Sequence, residues 1–318
     1  MKVMKLLGGF LTVILGAFVV VGVVKHQEVA DWWLLRGYTP SAQIAAIAAD
    51  TTMTSKGKTI FYVHNPRIED KAQFNQDCTF GETSIVLGCY DGRGIYVYNV
   101  SDDRLAGIHE VTAAHEMLHA AYDRLSEQEK KRVNTLTERA LQKVTSERIQ
   151  NLVKSYRSRS AGAVPNELHS IIGTEIENLD PELEAYYAQY FNDRKTVVAL
   201  SQKYEQVFTD LKTQVERFDA ELSLMKAQVT QEEAALADDN DALKAQKKHL
   251  DALFASNNIN GYNAAVGSYN QKVQEYNQSI EVYKKLIADY NAKVVARNAV
   301  TVEQNDLIKS IDSKAEEL

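Results

Sequence analysis

Two histidines four residues apart, His115 and His119, lie in the segment 111–121, and Glu116 directly follows the first of them. On a helix, residues four apart share one face, so both imidazoles can bind the same metal ion. His-Glu-x-x-His is the pattern of zinc-dependent hydrolases, in which the glutamate takes a proton from the metal-activated water. Outside the motif the segment has no charged residue and no proline. It therefore predicts a largely buried helix with a Zn²⁺ site, rather than a surface helix with two ordinary histidines.

A catalytic zinc site needs a third protein ligand and keeps one position open for water. No further histidine follows the motif at close spacing, so the ligand should come from a later segment. The best candidate is the segment 165–175, because Pro165 suits the start of a helix and the segment contains Glu167 and Glu175. These glutamates would be about 12 Å apart along a helix, so they cannot both reach one metal ion.

The two segments together resemble the gluzincin metallopeptidases. The motif at 115–119 followed by a helical Asn-Glu-x-x-Ser at 166–170 is similar to the thermolysin branch, where the glutamate of Asn-Glu-x-x-Ser-Asp is the third zinc ligand. The resemblance implies Glu167 as this ligand and peptide-bond hydrolysis as the activity, with Glu175 as the alternative ligand. The chain departs from the branch at Ile171, where the branch has the aspartate that orients a zinc-bound histidine.

Three segments before the motif have the composition of β-strands: 59–64, 83–87, which runs on to Cys89, and 94–100. A Gly-containing turn separates the last two, which favours a hairpin. We expect an α+β class, namely a zincin-like head over residues 31–195 with a small mixed sheet and active-site helices. As an edge strand does in gluzincins, the segment 94–100 could pair with an extended peptide substrate.

Cys78 precedes the second strand-like segment, and Cys89 is its last residue. Outside the cytoplasm they are expected to form a disulfide bond with each other. The alternative is two unrelated buried thiols.

The rest of the head is expected to be helical. Ser41 would cap a helix to residue 49, and Ser101 or Asp103 would cap the metal-motif helix, which ends near Asp123. The basic segment 126–158 would be a solvated helical surface or, alternatively, a contact with anionic lipid.

Another helix is expected to start at Asp180-Pro181 and to run through residues 182–191. Its tyrosines Tyr186, Tyr187 and Tyr190 would pack in the core, or one of them could stabilise a transition-state oxyanion.

Residues 6–24 form an uncharged run of 19 residues. As a helix it would be about 28 Å long, close to the ~30 Å hydrocarbon core of a bilayer. It predicts a transmembrane anchor within residues 1–30, with a cleaved signal peptide as the alternative. The lysines before the run favour a single-pass cell-membrane protein whose catalytic domain is outside the cytoplasm. Trp32 and Trp33 would be interfacial aromatics or would pack on the head.

From Val197 to Leu253, apolar residues alternate spacings of four and three, and an Asn-Gly segment at 257–261 interrupts the pattern. A second register follows, with tyrosines at every seventh position: Tyr262, Tyr269, Tyr276, Tyr283 and Tyr290. Two such arms predict an antiparallel coiled-coil hairpin over residues 196–318, or alternatively arms that pair between two chains in a homodimer.

The net charge of −7 argues against nucleic-acid binding, which requires a basic surface. The predicted function is therefore a membrane-anchored zinc metallopeptidase that acts on peptides or proteins. The competing hypothesis is a non-enzymatic coiled-coil scaffold or adhesin with a structural metal site. Structural zinc sites usually have four protein ligands, commonly including cysteine, and Cys78 and Cys89 are not in a close C-x-x-C arrangement.

Overall fold

The computed structural model of the protein describes residues 26–79 and 85–314. Within this part of the chain, 76% of the residues are helical and 4% are in strands, of which there are three. The predicted α+β class is therefore wrong, and the fold is mainly α-helical with one small sheet. The chain folds into two compact units: the described residues of Met1–Val207 and Leu307–Leu318, here called the head, and Phe208–Asp306, here called the hairpin unit.

The helices and strands follow one another along the chain in this order: α1 His26–Leu35, α2 Ala42–Asp50, α3 Ser55–Val63, β1 Arg67–Glu69, α4 Lys71–Asp77, β2 Gly88–Tyr90, β3 Ile95–Tyr98, α5 Ile108–Asp123, α6 Glu127–Leu141, α7 Glu147–Arg159, α8 Val164–Glu175, α9 Pro181–Tyr187, α10 Arg194–Ala255 and α11 Ile259–Ile311.

The segment 59–64, predicted as a strand, lies mostly in α3. The Thr54 side chain caps this helix by accepting a hydrogen bond from the backbone N–H of Gly57 (3.1 Å). Gly57, Ile60 and Phe61 are buried, which is the three-to-four spacing of a helix face. A short apolar run is compatible with either structure, and here packing in the head favours the helix.

The sheet has the strand order β1-β3-β2. The predicted hairpin is present as β2 and β3, which pair antiparallel with Gly88 opposite Val97. β2 begins at Gly88 and so overlaps only the end of the strand predicted for it, and residues 80–84 lie outside the described chain. The unpredicted β1 pairs parallel with β3. The predicted edge role of segment 94–100 is therefore wrong, because in the described sheet β3 is the central strand and β2 is an edge.

The metal-motif helix α5 lies at the centre of the head, with a largely buried surface that includes Ala113, Met117 and Leu118. It contacts α8, α3, β2 and β3. Its N-cap is Gly107, whose φ of 106° is in the left-handed region that glycine tolerates, and not Ser101 or Asp103.

The predicted disulfide between Cys78 and Cys89 is present, with a distance of 6.0 Å between the two α-carbons. It connects the end of α4 to β2.

Residues 26–79 and 85–314 contain no helix with the length and apolar character needed to cross a bilayer. This finding contradicts the predicted single-pass membrane localisation. The run 6–24, on which that prediction was based, lies outside the described residues. Trp32 and Trp33 are each 59% exposed and contact each other, so they do not pack into the head.

The basic helices α6 and α7 form ion pairs with neighbouring acidic side chains, as a solvated surface does. Examples are Arg139 with Asp180 (3.0 Å) and Arg157 with Glu138 (2.8 Å).

In the hairpin unit, α10 and α11 pair within one chain around a break after Ala255. Arg297 Nε donates to Asp219 Oδ1 (2.9 Å), and Lys293 forms an ion pair with Glu221. The five tyrosines of the second register are half-buried, which places them at the contact between the two helices.

Candidate metal centre

Helices α5 and α8 bring His115, His119 and Glu167 together. The Nε2 atom of His115 lies 3.8 Å from Oε2 of Glu167, and the Nε2 atom of His119 lies 3.8 Å from Oε1 of the same carboxylate. The two imidazole centroids are 4.8 Å apart. One carboxylate, that of Glu167, therefore faces both imidazoles.

The donor set fits a zinc ion. Ligand atoms bound at ~2 Å to a tetrahedral ion are ~3.3 Å from one another, so the observed 3.8 Å separations need to shorten by only a few tenths of an ångström. Two imidazole nitrogens and one carboxylate form a ligand set typical of catalytic zinc sites. The side chains of His115, His119 and Glu167 are 20%, 12% and 18% exposed, so solvent reaches the centre.

Glu116 contributes a second carboxylate to the centre. Candidate ligand atoms of His115, Glu116 and His119 all lie within 4.8 Å of one another. Glu116 is buried, and its side chain packs against Gly88 of β2. The general base expected from the sequence is therefore next to both imidazoles.

Asn166 orients His119. Its Oδ1 atom lies 3.0 Å from Nδ1 of His119, and its Nδ2 donates to Oδ1 of Asp123 (3.5 Å). Because the Asp123 carboxylate can only accept, it directs the amide nitrogen of Asn166 toward itself and the amide oxygen toward His119. Nδ1 of His119 then carries the proton, which leaves Nε2 free to bind a metal. Asn166 is thus a hydrogen-bond partner of His119 in a chain that has Ile171 in place of the aspartate of the thermolysin pattern.

Tyr156 on α7 is a neighbour of the centre that the sequence analysis missed. Its hydroxyl donates to the Glu167 carboxylate and so favours the charged form. Tyr156 lies in the segment 126–158, which was predicted as a solvated helical surface or a contact with anionic lipid, and no motif pointed to it.

Glu175, the alternative ligand, lies elsewhere. Its carboxylate pairs with Arg148, which also pairs with Glu205 of α10. The eight-residue separation along a straight helix accounts for this, because only one of the two glutamates can face the imidazoles.

The tyrosines around α9 are core residues. Tyr186, Tyr187 and Tyr190 are at most 4% exposed. His169 is fully buried among them and forms a hydrogen bond with the Tyr186 hydroxyl (2.9 Å). Burial lowers the pKa of His169 to about 3, so it is neutral. These tyrosines pack in the core, as expected, and are too enclosed to meet a substrate.

Protons in the centre are divided unequally between the two imidazoles. Burial disfavours charge on His115, but its hydrogen bond to Glu167 and the negative charge of Glu116 outweigh this and raise its pKa. Burial and the neighbouring His115 lower the pKa of His119 to about 4. Burial also disfavours charge on Glu167, yet the hydrogen bond from His115 and the charge of His119 lower its pKa. A metal ion would therefore compete mainly with a proton on His115.

Two surface cavities lie away from the centre. One of about 580 Å³ is lined by residues such as Tyr38, Asn65 and Glu69, and one of about 560 Å³ is lined by residues of α6. Neither includes His115, His119 or Glu167, so we assign the candidate site by its chemistry and not by cavity size.

Comparison of the chain with protein-family models, curated proteins and solved structures finds no match.

Proposed function

We propose that the protein is a zinc-dependent peptidase in which His115, His119 and Glu167 hold the metal and Glu116 is the general base. The observation that carries the proposal is the convergence of these four side chains from α5 and α8, with one carboxylate facing both imidazoles at 3.8 Å. The resemblance of the two motifs to gluzincins supports the same assignment.

When bound, a zinc ion would lower the pKa of water toward ~7 and polarise the scissile carbonyl. The chain's own residues supply the proton transfers. The Glu116 carboxylate accepts the proton of the attacking water and then gives it to the leaving amine nitrogen. Asn166 holds the proton on Nδ1 of His119, so this imidazole does not exchange protons with the substrate.

Among the described residues, β2 is the edge strand next to the metal-motif helix, and an extended peptide could add to it by backbone hydrogen bonds. This moves the expected substrate contact from the segment 94–100 to the neighbouring strand.

The first test is Glu116→Gln, which keeps the shape of the side chain and removes its basicity. We expect peptide hydrolysis to fall roughly 10²- to 10⁴-fold, because general-base catalysis contributes about that much. Zinc content should not change.

The same variant separates the proposal from the competing hypothesis of a structural metal site. If Glu116 were a fourth ligand that closes such a site, Glu116→Gln would lose zinc. Unchanged hydrolysis by the zinc-loaded variant would reject Glu116 as the base.

A further inference from the structure

Gly88 leaves no room for a side chain between β2 and the metal-motif helix. A β-carbon placed on Gly88 would lie 2.5 Å from Cγ2 of Thr112 and 3.0 Å from both Cγ and Oε1 of Glu116. A contact of 2.5 Å does not occur between packed carbon atoms, so Thr112 or the backbone of β2 would have to shift, and the 3.0 Å contacts would displace the Glu116 side chain by a few tenths of an ångström. The backbone of β2 thus forms one wall against the Glu116 carboxylate.

Pairing in the sheet by itself holds β2 only weakly in this position. β2 has three residues and pairs only with β3 in the described sheet, and residues 85–87 before it have no regular secondary structure. Short edge strands with one neighbour are marginal elements.

The disulfide supplies the missing support. Cys89, next to Gly88, is bonded to Cys78, the C-cap residue of α4. Both cysteines are buried in a small cluster with Phe74, which is separate from the main core of the head. The bond therefore fastens β2 to a helix that is independent of the metal ligands.

We propose that Gly88 is a positioning residue for Glu116, and that the Cys78–Cys89 disulfide holds Gly88 in place, so that reduction lowers catalysis while the metal ligands stay intact. The inference rests on the proposed peptidase function. In the reductive step, a dithiol reductant attacks the disulfide and then closes to its own cyclic disulfide. Two electrons and two protons pass to Cys78 and Cys89, which become thiols.

The first experiment compares Gly88→Ala with Gly162→Ala. A β-carbon on Gly162 would meet no atom within 4 Å, so this variant is the matched control. We expect Gly88→Ala to lower kcat/KM for a peptide roughly 100-fold, because a displacement of about 1 Å of a catalytic group can cost that much. Zinc affinity, measured by competition with a chromophoric chelator, should stay within about twofold of wild type, since the ligands remain. Equal kcat/KM in the two variants would overturn the proposal.

A double variant tests whether Gly88 acts through Glu116. In a Glu116→Gln background, Gly88→Ala should change the residual kcat/KM by less than about twofold, because the group that it displaces no longer acts as a base. A further loss as large as that in the wild type would show that Gly88 acts by another route.

The disulfide is tested by Cys78→Ser combined with Cys89→Ser, and by treating the wild type with dithiothreitol. Both should lower kcat/KM to a similar extent, retain zinc affinity and increase hydrogen exchange of the amides at residues 85–90. Unchanged exchange and unchanged kcat/KM would contradict the proposal.

A stability measurement separates failure of this inference from failure of the proposed function. Gly88→Ala should lower the Tm by about 4 °C or more, and Thr112→Ser, which removes the clashing methyl group, should restore at least about half of that loss. Restoration without peptidase activity in the wild type would reject the function but keep the packing of β2 on α5. No restoration would reject the positioning itself, whether or not the wild type is active.

Discussion

Asn166 determines which nitrogen of His119 can bind a metal. Its amide is held at both ends, by Asp123 on one side and by His119 on the other. A histidine held in this way loses less freedom when it binds a metal than one that can rotate and change tautomer.

Asn166→Ala should therefore weaken zinc binding about 10- to 100-fold, which is the usual effect of removing a partner of a metal-ligating histidine. Chelator competition measures the affinity. Asn151→Ala, at an exposed position of α7, is the control and should leave it unchanged. A change of less than twofold in Asn166→Ala would mean that the amide does not orient His119.

The Glu69 carboxylate is buried in the head, away from the metal centre. Both oxygens of the Glu69 carboxylate are buried, and the Arg67 guanidinium is 3.9 Å away. Burial and the neighbouring Asp77 raise its pKa to about 7, with a small contribution from Asp70. The folded state thus disfavours the charged form of Glu69.

The pKa shift of Glu69 predicts a pH-dependent effect of Glu69→Gln. Below the ordinary pKa of about 4.5 the carboxyl is protonated in both folded and unfolded states, so wild type and variant should melt alike. As the pH rises toward 7, the unfolded state loses the proton first and the folded wild type loses stability. At pH 8 the variant should have the higher Tm.

Glu233→Gln, exposed on α10, is the control and should show no such trend. A Tm difference for Glu69→Gln that does not change between pH 4.5 and pH 8 would contradict the assigned pKa.

At the scale of elements, the end of α8 is held by the first residue of α10. The Arg194 side chain is 1% exposed and donates to the carbonyl oxygens of Gly173, Ile176 and Glu177 and to the Glu184 carboxylate. These carbonyls lie at or just beyond the end of α8, where a helix lacks its own donors. Arg194 thereby stabilises the helix that carries Glu167.

Arg194→Met should lower the free energy of unfolding by about 3 kcal/mol, because it leaves three carbonyl acceptors at the end of α8 without this donor. Urea unfolding measures the change. Arg132→Met removes a half-exposed ion pair with Glu182 and should cost less than about 1 kcal/mol. Equal losses in the two variants would contradict the assigned role of Arg194.

Local sequence patterns predicted the wrong secondary structure or position for two elements, α3 and β3. The α3 segment has the composition of a strand, but its buried face follows helical spacing once it packs in the head. The central position of β3 depends on β1, a three-residue strand too short to be recognised from its own sequence.

At the scale of the whole molecule, zinc is expected to stabilise the protein, because a ligand that binds only the folded state raises its stability. The gain is about 4 kcal/mol at a free concentration 1,000 times the Kd. Calorimetry should show a higher Tm with zinc in the wild type and in Glu175→Ala, but not in Glu167→Ala. Comparing each variant with and without zinc cancels the cost of breaking the Glu175–Arg148 ion pair. If the increase in Tm with zinc were lost only in Glu175→Ala, Glu167 would be rejected as the ligand.

The sequence by itself determined the features that local spacing encodes. The four-residue interval puts His115 and His119 on one helix face, two cysteines 11 residues apart can meet, and heptads around an Asn-Gly break can fold back on themselves. The tertiary structure decided which glutamate faces the imidazoles, that Asn166 bonds to His119 and Tyr156 to Glu167, and that Gly88 lies against Glu116. These contacts join residues far apart in the chain. The spacing of residues within one helix or strand does not predict which distant residues will meet when the apolar faces pack together.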